Sequence, residues 1–217
     1  MRTGFDKELE KLNRDLTKMS NLVEVALENM ITAFKHQDKA LAKEIIENDH
    51  FINDMEKTIE SRAFRLMLLQ QPIASDLRDV TTATKIVTDL ERIGDQAADI
   101  AEIIIHFQEA SYRTIEHIPT MAKKSQQMVH EAIDAFVKKD LERAKQIKKM
   151  DDDIDALFEE VKQEVIEILK EDSEKADCCI EFLMIAKYLE RIGDHAVNLC
   201  EWLEFNQTGI LNEQRLI

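Results

Sequence analysis

The sequence is poor in the residues that turn a chain. It has four glycines and two prolines in 217 residues. A β-rich or mixed fold of this length needs many more of both at its turns. Aromatic residues make up 6%, with a single Trp. No run of about eighteen apolar residues occurs, so no transmembrane helix is expected. The first ten residues mix charges and have no apolar stretch, so no secretory signal is expected. The three cysteines are an odd number, with Cys178 and Cys179 adjacent and Cys200 alone. They form no disulfide framework, and a reducing cytoplasm is the simpler reading.

What the chain does have is charge laid over apolar residues. Charged residues are 34% and hydrophobic ones 44%, which suits long amphipathic helices and argues against disorder. The net charge is −15. Up to residue 110 there are 14 basic and 21 acidic residues, and after it 15 and 23, a balance of −7 and −8. Such a chain repels phosphate backbones, so direct nucleic-acid binding is not expected. Its field attracts cations or basic partner surfaces.

The even split of charge reflects an internal duplication. LeuGluArgIleGlyAsp occurs at 90–95 and again at 189–194, Ala97 matches Ala196, and Glu102 matches Glu201. Upstream, Ala33-Phe34, Asp38, Ala42-Lys43, Ile45, Asp49 and Ile52 align with Ala135-Phe136, Asp140, Ala144-Lys145, Ile147, Asp151 and Ile154. The offset is 102 there and 99 in the later motif, which places a three-residue difference at the turn around Pro72 or 170–173. Two repeats result, 1–110 and 111–217.

Each repeat reads as three helices. In the first, apolar residues at 9, 12, 16, 19, 23, 26, 30 and 34 alternate spacings of three and four, which is a bundle seam. Asp38 is the expected cap of the second helix, Pro72 its end, and Ser75 the cap of the third. The stretch 111–117 reads as the linker between repeats. Pro119 suits the first turn of the fourth helix, Asp140 caps the fifth and Ser173 the sixth. The tail after Phe205 is expected to fray. The fold class is therefore all-α, two tandem three-helix bundles.

The repeated motif also places chemistry. With Leu90, Ile93 and Ala97 facing the core, Glu91, Asp95 and Asp99 lie away from it at i, i+4 and i+8. The second copy offers Glu190, Asp194 and Asn198. Like charges so spaced destabilise a bare helix by ~0.2–0.5 kcal/mol per pair, so keeping them in both copies points to a compensating cation. Asp49 and Asn53 on the second helix, and Asp151 and Asp155 on the fifth, add further oxygen donors. Four or five such donors can hold Mg²⁺, Mn²⁺ or an iron centre, with His50 or His195 assisting. Gly94 and Gly193 sit at equivalent mid-helix places, where the missing side chain permits close approach of a helix or a ligand. A single acidic stripe is ordinarily solvated surface, and the duplication is what argues for a site. Arg92 and Arg191 can each pair with a nearby carboxylate. Cys178, Cys179, Tyr188 and Trp202 read as packing. Di-iron enzymes need Glu-x-x-His on two helices of a bundle. Glu47 to His50 fits once, and Asp152 breaks the pattern in the other copy. No phosphate loop or nucleophile signature occurs, so no enzyme is expected.

A duplicated helical repeat of about a hundred residues, each with paired Glu/Asp-x-x-x-Asp motifs, resembles the PhoU family of bacterial phosphate-transport accessory and regulatory proteins. The resemblance covers about residues 5–205. The doubled LeuGluArgIleGlyAsp is its most specific element, and Asp76-Leu77-Arg78 also fits. It implies two three-helix bundles and metal ions on the acidic motifs, among iron, manganese, magnesium and zinc. By this resemblance Glu91, Asp95, Glu190 and Asp194 are ligands, with Asp49, Asp151 and Asp155 beside them. Asn53 and Asn198 stand where the matching motif position is acidic. The implied role is regulatory: repression of the phosphate-starvation response when phosphate is plentiful. The implied partners are the ATPase subunit of the phosphate ABC transporter and a sensor histidine kinase, with a cytoplasmic protein reaching the membrane only through them. A homodimer is compatible with this reading. The alternatives are a metal-independent helical docking module and a carboxylate-bridged iron protein.

Overall fold

A computed structural model describes residues 2–70, 74–107, 115–211 and 214–215. Nearly all of them lie in α1 (Arg2–His36), α2 (Lys39–Gln70), α3 (Ala74–His106), α4 (Ile118–Lys138), α5 (Leu141–Glu171) and α6 (Ala176–Thr208). No helix among the described residues is long and apolar enough to cross a membrane.

The duplication is legible in the turns. Gln37 between α1 and α2 and Lys139 between α4 and α5 both adopt a left-handed backbone, with φ of 55° and 56°. The next residue then caps the following helix. Asp38 Oδ1 accepts from the Ala40 and Leu41 amides at 3.0 Å, and Asp140 Oδ1 accepts from the Arg143 amide at 2.9 Å. Each carboxylate satisfies amides that have no partner within the helix. Pro119 lies in the first turn of α4, as its fixed φ favours.

Three expectations about helix ends are corrected. Ser75 lies inside the first turn of α3, which begins at Ala74. Ser173 opens a short 3₁₀ turn, Ser173–Lys175, and the capping side chain is Asp172, which accepts from the Glu174 amide at 3.1 Å. Aspartate one residue earlier competes better because its side chain carries a full charge. The tail does not fray at Phe205. Helix α6 runs to Thr208, Gly209 ends it with φ of 75°, and β1 (Ile210–Leu211) pairs antiparallel with β2 (Gln214–Arg215). Of the linker, 111–114 lie outside the described residues, and 115–117 are non-helical.

Helices α1, α2 and α3 pack on one another, as do α4, α5 and α6. The two bundles are not separate bodies. Helix α3 packs along α6 and α1 meets α4, so the apolar residues of both repeats form one continuous core. Leu12, Met19, Leu27, Leu90, Ile104, Met121 and Phe182 are among its fully buried side chains. Helix α3 shows the consequence of packing both within its own bundle and against α6. Val80, Val87, Leu90, Ile93 and Ala97 are buried, and so are Thr82, Asp89 and Gln96. One apolar stripe serves its own bundle, and a second, partly polar stripe serves α6. This leaves a single face, bearing Glu91 and Asp95, directed away from the core.

Candidate functional site

The acidic residues of each repeat gather where two helices meet. In the first repeat, α3 is drawn against α2 at Gly94. A Cβ there would come within 2.8 Å of Ile52 Cδ1 and 3.6 Å of Asp49 Oδ1. In the second, α6 approaches α5 at Gly193, where a Cβ would meet Asp151 Oδ1 at 3.1 Å and Ile154 Cδ1 at 3.3 Å. The paired glycines therefore serve packing, against the matched Ile52 and Ile154. The same close approach brings one helix's carboxylate beside the other's.

In the first cluster, Asp49 and Asn53 of α2 face Glu91 and Asp95 of α3. Asn53 Nδ2 donates to Asp49 Oδ2 at 2.8 Å, while Asp49 Oδ1 and Asn53 Oδ1 are buried without a hydrogen bond. Arg92 Nη1 donates to Asp95 Oδ2 at 3.2 Å, and its Nε lies 3.4 Å from Glu91 Oε2, itself buried without a hydrogen bond. Burial, then the charges of Asp95 and Glu56, push the Glu91 carboxyl up to about 7. Burial and the Asp95 charge raise Asp49 as well. Glu56 belongs to this cluster, since burial, then the charges of Glu60 and Asp95, raise its carboxyl. The sequence reading missed it. Its position seven residues beyond Asp49 on α2 was the available signal.

The second cluster is more open. Asp155 and Asp194 are exposed, while Asp151 and Glu190 are half-buried. Asp151 Oδ1 is buried without a partner, and burial followed by the Asp155 and Asp194 charges pushes its carboxyl up to about 6. Asp194 is raised by burial and by Glu190. Lys187 pairs with Glu190 and stands 5.4 Å over the Phe158 ring. Phe158 occupies the place that Glu56 holds in the first repeat.

Asp99 and Asn198 belong elsewhere. Four residues advance a helix by about 40° beyond full turns, so two such steps turn the third residue by about 80°. Asp99 therefore meets α6, where it accepts a hydrogen bond from the Tyr188 hydroxyl near Arg191, although its charge still reaches Asp49. Asn198 Nδ2 donates to Asp89 Oδ1 at 3.0 Å, and His195 Nδ1 lies 2.8 Å from the same oxygen. Asp89 corresponds to Tyr188, and Asp99 to Asn198, across the duplication. The two contacts are thus mates at the α3–α6 crossing. His50 is exposed, with Nδ1 2.5 Å from the Glu47 carbonyl.

Among the described residues, no three His, Cys, Asp or Glu side chains already form a group that could hold a metal ion. The donors that do approach are oxygens, several without partners and several raised by mutual repulsion. That chemistry fits hard cations such as Mg²⁺, Mn²⁺ and iron, and fits zinc, which favours His and Cys, least well. Cys179 and Cys200 are buried in the core.

The fold and site together define an all-α tandem-repeat protein with an oxygen-rich acidic cluster on each repeat. Residues 16–104 and 118–203 each match the PhoU domain. A phosphate-specific transport system accessory protein PhoU homolog of Clostridium acetobutylicum is 40% identical over 207 residues, covering 94% of both chains. The accessory protein PhoU of Escherichia coli is 33% identical, covering 94% of this chain and 86% of that one. The crystal structure of the regulatory protein PhoU from Streptococcus pneumoniae superposes with a TM-score of 0.90 at 32% identity, covering 97% of this chain and 100% of that one. The chain belongs to the PhoU family.

Proposed function

We propose that this protein regulates phosphate uptake and phosphate-starvation signalling as a metal-bearing helical adaptor. The observation that carries the reading is the pair of carboxylate clusters, one on each repeat of a PhoU fold. The relatives named above are phosphate-specific transport system accessory proteins, which supports a role in phosphate transport rather than in catalysis. Asp49, Glu91 and Asp95, with Glu56 beside them, would hold an ion on the first repeat. Asp151, Asp155, Glu190 and Asp194 would do so on the second. A bound cation would supply the positive charge that cancels their repulsion and would offer a contact to acceptor groups of a partner. The acidic faces suit basic surfaces of the transporter's ATPase subunit and of a sensor histidine kinase, at the cytoplasmic side of the membrane. The outcome of docking would be repression of the starvation response when phosphate is plentiful.

Two measurements test this. Elemental analysis of protein purified without chelator should find bound metal in the wild type and its loss in Asp95→Ala plus Asp194→Ala. Equal content in both overturns the ligand assignment. A phosphate-regulon reporter in a strain lacking its own copy of the gene should be repressed by the wild-type chain in high phosphate. An unrepressed reporter overturns the regulatory role. A metal-independent docking module is the second reading, and one observation favours it: Arg92 and Lys187 already pair with the cluster carboxylates. Capture of the ATPase subunit that withstands chelation would select it over the first.

A further inference from the structure

The duplication makes two equivalent spaces where the bundles meet, and the chain fills only one. At one end, Phe107 after α3 and Phe182 of α6 meet with ring centroids 4.9 Å apart and planes tilted by 38°. Phe34, Ile118 and Ile185 belong to the same core, and all five are buried. The repeat offsets map Phe182 onto Ala83, Phe107 onto Asn206, Phe34 onto Phe136, Ile118 onto Leu16 and Ile185 onto Ile86. These mates surround a cleft of about 280 Å³ between α1, α3, α4 and α6. Two phenyl rings have become a methyl and an amide, and the space they would occupy is open. Phe136 is correspondingly only half-buried where Phe34 is buried.

The cleft is not merely apolar. Asp79 and Lys139 both line it, and Asp79 Oδ1 accepts from Asn206 Nδ2 at 2.8 Å. Among the described residues no cation pairs with that carboxylate. A negative charge at the edge of an apolar space favours a ligand that brings its own donor or positive charge. The volume suits one or two rings and lies just under the usual range for drug-sized molecules.

We propose that this cleft binds a small planar aromatic or heteroaromatic molecule, its ring seated against Ala83, Ile86 and Phe136 and an amine or amidine substituent held by Asp79. The ring takes the place that the protein's own phenylalanines fill at the other end. The polar substituent uses an anionic group that the filled end lacks, since Asp79 corresponds to Cys178. The site is separate from both acidic clusters and does not depend on the regulatory reading.

Nuclear magnetic resonance titration of the full chain tests this with benzamidine, indole and toluene as probes. Benzamidine should give saturable shifts centred on Ala83, Ile86 and Phe136, tighter than those of toluene. Asp79→Asn should weaken benzamidine about tenfold or more and leave toluene unchanged, since a charged hydrogen bond is lost. Ala83→Phe should fill the cleft and abolish binding of all three probes. If that variant does not fold by circular dichroism, Ala83→Leu should weaken all three. Phe182→Ala should open a second aromatic site at the other end. Shifts that do not saturate, or that survive a folded Ala83 variant, overturn the proposal. An equal loss of toluene and benzamidine in Asp79→Asn overturns the role of the carboxylate.

Discussion

Replacing Glu91 by glutamine should stabilise the metal-free protein at high pH. The Glu91 carboxyl is pushed from its ordinary 4.5 up to about 7, first by burial and then by Asp95 and Glu56, with Arg92 opposing. In the folded state it keeps its proton until near neutrality, whereas the unfolded chain releases it near 4.5. Between those values the folded state binds more protons, so stability falls as pH rises, and the full loss is present above about 7. A shift of this size corresponds to about 3 kcal/mol, and partial solvent screening trims it to about 2. The side chain is only 14% exposed, which is why most of the effect survives. Glutamine has nearly the same shape and no charge to release. Urea unfolding in the presence of chelator, run from pH 4 to 8.5, should show the two proteins alike at the acid end. Glu91→Gln should be about 2 kcal/mol more stable at the alkaline end, a rise in Tm of roughly 4–8 °C. Saturating Mn²⁺ should reverse the order, because only the wild type gains the full ligand stabilisation. A variant that is less stable than wild type at pH 8 in chelator would refute the account of the cluster as mutually repelling.

The remaining expectations concern the second cluster, the glycines and the core. Asp151→Asn should behave like Glu91→Gln in the lower window from about 3.8 to 6, since burial and Asp155 push Asp151 up to about 6, and the same unfolding series reads it. Gly94→Ala places a methyl 2.8 Å from Ile52 Cδ1. It should cost about 1–2 kcal/mol net of the helix-propensity gain, with part recovered in Gly94→Ala plus Ile52→Val by thermal melting. The Cys200 thiol, buried and pushed up to about 12, should resist thiol reagents in the native protein and react only on unfolding, as mass spectrometry of labelled protein would report.

Much of the fold was legible because helices announce themselves locally. The seam of α1 and the stripe of α5 are periodic, and Asp38 and Asp140 sit where a cap must be. The doubled motif also identified the acidic pairs Glu91 with Asp95 and Glu190 with Asp194. The missed caps have a local cause. Ser75 and Ser173 are good capping types, but each stands beside a residue that the backbone used first: Ala74 begins α3, and Asp172 offers a charged oxygen. Glu56 has an apolar mate, Phe158, so acids matched across the repeats do not reveal it. Asp99 and Asn198 look aligned with the motif in a linear pattern, where the slow rotation of successive i+4 positions is invisible.

The sequence by itself determined six helices, their duplication, and which carboxylates lie on which helix. Only the tertiary structure decided that the bundles share one core, that Asp99 and Asn198 serve the α3–α6 crossing, and that one of two equivalent spaces stands open. The division follows from range. Periodicity and capping act within a few turns of one helix, whereas the pairing of helix faces depends on burial between segments about a hundred residues apart.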